Sequence, residues 1–131
     1  MTDKELVKEA IEARKLSYSP YSGFAVGAAL LTEVGVLFKG CNIENASFSP
    51  TVCAERAAIF KAVSEGEREF SMIAIAGGKD GKIENICPPC GVCRQVMAEF
   101  CKPDFPVLLV KGEGEYEKFT LSDLLPLSFK I

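Results

Sequence analysis

The chain has 131 residues, a length that fits one domain spanning 1–131, and at 48% apolar and 25% charged it has neither a disordered nor a fibrous composition. A net charge of −3 and an isoelectric point near 5.1 exclude the basic footprint with which a protein holds nucleic acid through its phosphates. Histidine is absent, which removes Ser-His-Asp and Cys-His nucleophile schemes and any histidine-held metal, so chemistry must rest on Cys, Asp, Glu, Lys, Arg or Tyr.

Thr2-Asp3-Lys4-Glu5 has the spacing of a capping box, and Leu6, Val7, Ala10, Ile11 and Ala13 then recur at helical period, predicting a helix over about 3–17. This opening mixes Asp, Lys and Glu and has no apolar stretch of signal-peptide type, so a cytoplasmic location is expected. Tyr18 to Gly23 is a turn-rich loop. Phe24 to Thr32 reads as a buried strand, far too short to span a bilayer, and Glu33-Val34-Gly35 turns it into a second strand, Val36 to Gly40. Cys41 to Val52 lacks any period and reads as a loop. A helix over 53–64, a short strand over 72–76 and a Gly-rich loop over 77–86 follow. Pro88-Pro89 leads into a helix over 90–101, since proline is favoured at a first helical position. Strands over 106–111 and 116–120 come next, and Ser122 is placed to cap a short last helix through Leu125. The order α-β-β-α-β-α-β-β-α predicts an α/β sandwich with a mixed sheet.

The six cysteines, at 41, 53, 87, 90, 93 and 101, are the pointed feature of the composition. In a reducing compartment they are metal ligands, reactive thiols or core residues rather than disulfides. Cys90 and Cys93 share one face of a first helical turn, and Cys53 opens the preceding helix, so two helix N-termini can stabilise three thiolates around one tetrahedral Zn²⁺ with its fourth position open. Glu55, two residues beyond Cys53, is placed to take and return a proton at that open position. Cys87, Cys90 and Cys93 together also admit an iron–sulfur, structural-zinc or redox reading, which lacks a convincing fourth ligand and gives Glu55 nothing to do.

Cys53-Ala54-Glu55-Arg56, followed by Pro89-Cys90-Gly91-Val92-Cys93-Arg94-Gln95, resembles the zinc-dependent cytidine deaminase family, whose general signature includes a glutamate that is not a ligand. Tyr18 to Leu30, Gly40-Cys41-Asn42-Ile43-Glu44-Asn45-Ala46, and Leu124-Leu125-Pro126 with Phe129 are similar to the short homotetrameric members that act on free nucleosides. The resemblance implies a three-layer α/β/α sandwich on a mixed five-stranded sheet. It also implies hydrolytic deamination of cytidine and 2′-deoxycytidine in pyrimidine salvage. One Zn²⁺ per chain would be held by Cys53, Cys90 and Cys93, with Glu55 as proton shuttle and Arg56 bonding the sulfurs to offset their charge. Asn42 and Glu44 would hold the ribose 3′-hydroxyl, Phe24 would pack on the pyrimidine, and the backbones of Ala54 and Pro88 would meet the base edge. Ala46, Phe48 and Phe129 mark where a neighbouring subunit closes the pocket. Pro88 stands where serine is common, Phe48 replaces a frequent tyrosine, and Cys87 is an additional thiol. A deaminase of another aminopyrimidine nucleoside, of blasticidin type, is the rival within the family. The run Asn42-Ile43-Glu44-Asn45 favours plain ribose.

Overall fold

The computed structural model describes residues 1–131. Helix α1, Asp3–Ala13, starts as its sequence requires: the Thr2 hydroxyl accepts from Glu5 N at 3.2 Å, and the Glu5 carboxylate accepts from Thr2 N at 2.9 Å. Its expected last turn tightens into a 3₁₀ turn, Arg14–Leu16. Strands β1, Phe24–Thr32, and β2, Leu37–Cys41, form the hairpin, turned at Gly35 with φ of 87°. Helix α2, Ala54–Ser64, strand β3, Phe70–Lys79, and helix α3, Gly91–Phe100, follow. Strands β4, Pro106–Gly112, and β5, Glu115–Thr120, and the short α4, Leu121–Leu124, complete the chain.

The sheet order is β2-β1-β3-β4-β5, with β3 and β4 parallel and the other neighbours antiparallel. This is a mixed five-stranded sheet with one parallel crossover through α3. The apolar strands carry side chains to both faces with period two. Ala29, Leu31, Ala74, Ala76, Leu108 and Val110 meet Leu6, Val7 and Ala10 of α1. Ala28, Leu30, Ile73, Ile75, Val107 and Leu109 meet Ala58 and Ile59 of α2 and Met97 of α3. The result is the expected three-layer sandwich, with α1 on one face and α2 and α3 on the other.

Most element ends shift by a residue or two from expectation, and two differences have a clear physical cause. Strand β3 runs to Lys79, not to Ala76, because Gly77, Gly78 and Lys79 pair with Val26, Ala25 and Phe24 of β1. The glycines carry no strand signal, and their bareness is required. A Cβ on Gly78 would collide with the Lys82 carbonyl, and one on Gly77 would sit 2.9 Å from Cys87 Sγ. The last helix is capped by Thr120, not Ser122: the Thr120 hydroxyl accepts from Asp123 N at 3.2 Å, and Asp123 returns a bond to Thr120 N.

Gly40 sets the position of α2. A methyl there would lie 2.5 Å from both the Ala54 carbonyl and the Ala58 amide, which are backbone atoms that cannot swing aside. Gly40→Ala should therefore cost about 1–3 kcal/mol and displace the first turn of α2. Thermal unfolding followed by circular dichroism checks this. An unchanged midpoint would mean that the helix has slack against β2.

Candidate active site

Cys53 is the N-cap of α2 and Cys90 the N-cap of α3, while Cys93 lies in the first turn of α3. The sulfurs of Cys53 and Cys90 are 3.6 Å apart and those of Cys90 and Cys93 3.3 Å, and all three lie within 4.8 Å of one another. Zinc–sulfur bonds of about 2.3 Å at tetrahedral angles would space sulfurs by about 3.8 Å, so the cluster is of the right size for one Zn²⁺. Three thiolate donors leave the fourth position of such an ion open. Cys87 is not in the cluster. Its sulfur packs against Gly77, in the space where a Gly77 Cβ would also meet the Phe24 ring at 3.0 Å.

The electrostatics favour thiolate at Cys53. Its pKa falls to about 5, first through the hydrogen bond from the Cys93 thiol and then through Arg56, whose guanidinium donates to Cys53 Sγ at 3.4 Å. Arg56 in turn has its charged state reinforced, chiefly by that same bond, while its buried Nε has no protein acceptor. Burial pushes the Cys87 thiol up to about 11, helped by the charges of Glu55 and Cys53, so it remains protonated beside the cluster. Glu55 is the one buried carboxylate, only 3% exposed, on the first turn of α2. Burial raises its pKa to about 7, with the Cys53 thiolate adding to the shift. A carboxyl poised there can both accept and release a proton near neutrality.

The other expected residues divide into groups. Asn42, just beyond β2, accepts at Oδ1 from Val26 N at 2.9 Å and from the Ser17 hydroxyl, and donates from Nδ2 to the Phe24 carbonyl at 2.8 Å. Glu44 accepts at Oε1 from Tyr21 N at 2.9 Å and Ser22 N at 3.1 Å, and at Oε2 from the Ser22 hydroxyl. These bonds, the Ser22 hydroxyl first among them, hold Glu44 ionised. Phe24 opens β1 between the two and is partly exposed. Ala54 is buried at the first residue of α2, and Pro88 is exposed ahead of α3. Ala46 and Phe48 are exposed on the loop before α2. Phe129 lies elsewhere, lining a cavity with Phe100, Cys101, Leu121 and Leu125, its carbonyl bonded by Gln95 at 3.4 Å.

A family model described as "Cytidine and deoxycytidylate deaminase zinc-binding region" matches residues 1–109, which hold all three clustered cysteines and Glu55. The chain belongs to this family. It is 48% identical over 129 residues to the cytidine deaminase of Sporosarcina psychrophila, covering 98% of this chain and 92% of that one. The cytidine deaminase of Halalkalibacterium halodurans is 50% identical over 129 residues, covering 98% and 95%. The crystal structure of cytidine deaminase from Burkholderia pseudomallei superposes with a TM-score of 0.91 at 45% identity, over 98% of this chain and 100% of that one.

Within this zinc-binding family fold, two features were not read from the sequence: the role of Arg94 and the pairing within the loop over 41–52. Arg94 donates from Nε to the Pro89 carbonyl at 2.7 Å and from a terminal nitrogen to the Leu124 carbonyl at 2.6 Å, tying the approach to α3 to the C-terminal turn. Its place directly after Cys93 was the available signal. The loop over 41–52 also carries pairing that its lack of period did not suggest: Ile43, which lies between Asn42 and Glu44, pairs with both Tyr18 and Val52, the residue before Cys53.

Proposed function

We propose that the chain hydrolyses cytidine and 2′-deoxycytidine to uridine and 2′-deoxyuridine plus ammonia, as a step of pyrimidine salvage, using one Zn²⁺ per chain held by Cys53, Cys90 and Cys93. The observation that carries this is the placing of one buried carboxyl, Glu55, two residues from a cysteine of a three-sulfur cluster. Bound zinc supplies Lewis-acid polarisation of the attacking water. Glu55 takes a proton from that water as the water oxygen bonds to C4, delivers this proton to N3, and then carries the proton of the new C4 hydroxyl to the amine, whose bond to C4 breaks as the carbonyl forms. Arg56 offsets the net −1 that three thiolates leave on a divalent ion. A structural-zinc or redox protein would have no use for a carboxyl held at this position.

The hydrogen-bond inventory supports a ribose hydroxyl as the recognised group. Both lone pairs of Asn42 Oδ1 are used and one amide hydrogen is spent on Phe24, so Asn42 has one donor left. Three of the roughly four acceptor sites of the Glu44 carboxylate are used, so Glu44 has one acceptor left. One donor beside one acceptor fits a single hydroxyl, which accepts from Asn42 and donates to Glu44. Phe24, between them, offers its ring to the base, and the backbones of Ala54 and Pro88 offer polar groups to the base edge. The two residues would pay nothing toward free cytosine, and a site with polar groups left unpaired rejects such a ligand strongly. An ultraviolet assay should show cytidine and deoxycytidine consumed and cytosine barely touched. Comparable turnover of cytosine and cytidine would sink this reading.

The active unit is a homotetramer with shared sites. Phe48 at 80% exposure and Phe129 at 68% are large apolar side chains standing in solvent on the single chain, and with Ala46 they are the surfaces for a second copy to cover. Light scattering should give four chains per particle. A fully active monomer would refute the shared site. No helix is long and apolar enough to cross a membrane. We place the enzyme in the cytoplasm, where its free thiols remain reduced.

A further inference from the structure

We propose that Ser22 is a positioning residue for sugar recognition, a role that rests on Glu44 taking the substrate's 3′-hydroxyl. Ser22 is exposed and contributes nothing to either core cluster, so its hydroxyl is not there for packing. The hydroxyl donates to Glu44 Oε2 and accepts from Phe24 N at 3.0 Å. Asn42 bonds the Phe24 carbonyl directly, and the Ser22 hydroxyl is what links Glu44 to the start of the same strand, which carries the ring facing the base.

The three bonds to Glu44 are not equivalent. The amides of Tyr21 and Ser22 both reach Oε1, which fixes one oxygen but leaves the carboxylate plane free to rock about it. The Ser22 hydroxyl is the sole protein donor to Oε2, so it sets that plane and occupies one of the two acceptor sites of this oxygen. Glu44 and Ser22 line a cavity with Tyr21, Asn45, Phe48 and Thr51. Remove the hydroxyl, and Oε2 presents two acceptor sites in no fixed direction while Phe24 N loses its partner. The chemistry of Glu55 and the cysteines is untouched, because no bond from Ser22 reaches them.

The test compares wild type, Ser22→Ala, Ser22→Thr, Glu44→Ala and the Ser22→Ala/Glu44→Ala double variant on cytidine and on 3′-deoxycytidine, which lacks the recognised hydroxyl. Loss of one charge-assisted hydrogen bond should raise KM of Ser22→Ala for cytidine about tenfold. Its kcat should stay within about twofold, as befits a residue that acts on binding rather than on the chemical step. Its KM for 3′-deoxycytidine should not move, and zinc should remain at one per chain. Ser22→Thr keeps the hydroxyl at this exposed position and should restore wild-type KM. In the Glu44→Ala background the Ser22 change should add nothing. If Glu44→Ala lowers the preference for cytidine over 3′-deoxycytidine and Ser22→Ala does not, the proposal falls while the reading of Glu44 stands. If Glu44→Ala leaves that preference intact, both fall together.

Discussion

Glu55→Gln should keep the fold and the zinc and lose nearly all turnover. The amide is close to isosteric with the carboxyl, so the first turn of α2 has no reason to move. Glu55 is buried, and its pKa is raised by that burial, so a neutral group is better suited to the position and the melting midpoint should hold or rise. What the amide cannot do is accept a proton. A general acid–base group contributes about 10²–10⁴-fold, and a residue that serves the water, N3 and the leaving amine in turn belongs at or beyond the upper end of that range. Steady-state rates alongside metal content decide it. Retention of more than about a tenth of the activity would mean that another group carries the proton.

The second large effect separates two cysteine registers. Cys87, Cys90 and Cys93 are evenly spaced in sequence, yet the cluster is made of Cys53, Cys90 and Cys93. Pro88 and Pro89 stiffen the chain ahead of α3, and Cys87 falls before the helix and packs beside Gly77. Cys87→Ser should therefore retain one zinc per chain and most activity. Cys53→Ser should lose both, together with some stability, because metal binding and folding are linked. Elemental analysis by plasma mass spectrometry reads the outcome. Zinc lost from Cys87→Ser and kept by Cys53→Ser would replace the proposed centre with the structural-zinc alternative.

Much of this was legible in the sequence because periodicity and caps are local. The Thr2–Glu5 box and the apolar spacing behind it announce α1, and the unbroken apolar runs of β1 and β4 announce strands buried on both faces. Where the determinant is a close approach between distant segments, no local signal exists. Gly77 and Gly78 look like a loop until β1 lies alongside and the Lys82 carbonyl fills the place of a side chain. The cap of α4 is Thr120, not the expected Ser122, although both offer a hydroxyl. Asp123, three residues beyond Thr120, is the sign that marks Thr120, since the two complete a capping box.

The site shows the same division. Cysteine spacing, two helix starts and the prolines that put Cys87 ahead of its helix point to a cluster of Cys53, Cys90 and Cys93, and the fold adds that the Cys87 sulfur packs beside Gly77. Asn42 and Glu44 sit in a stretch without period, since their partners are backbone groups of β1 and of the turn before it and the hydroxyls of Ser17 and Ser22. Phe129 carries no mark of function in its own neighbourhood, and within one chain its carbonyl is bonded by Gln95 of α3 while the residue stays 68% exposed. Its proposed role belongs to the assembly.

The central claim is that three cysteines and Glu55 make a zinc-dependent deaminating centre. The most direct test is to measure cytidine turnover and ammonia release on preparations of the wild-type chain loaded with zinc from none to saturation. The account predicts one ammonia per uridine formed and a rate that rises in proportion to bound zinc, reaching its maximum at one ion per chain. Undiminished turnover by the zinc-free chain, or a fully loaded chain that leaves cytidine unchanged, would contradict it.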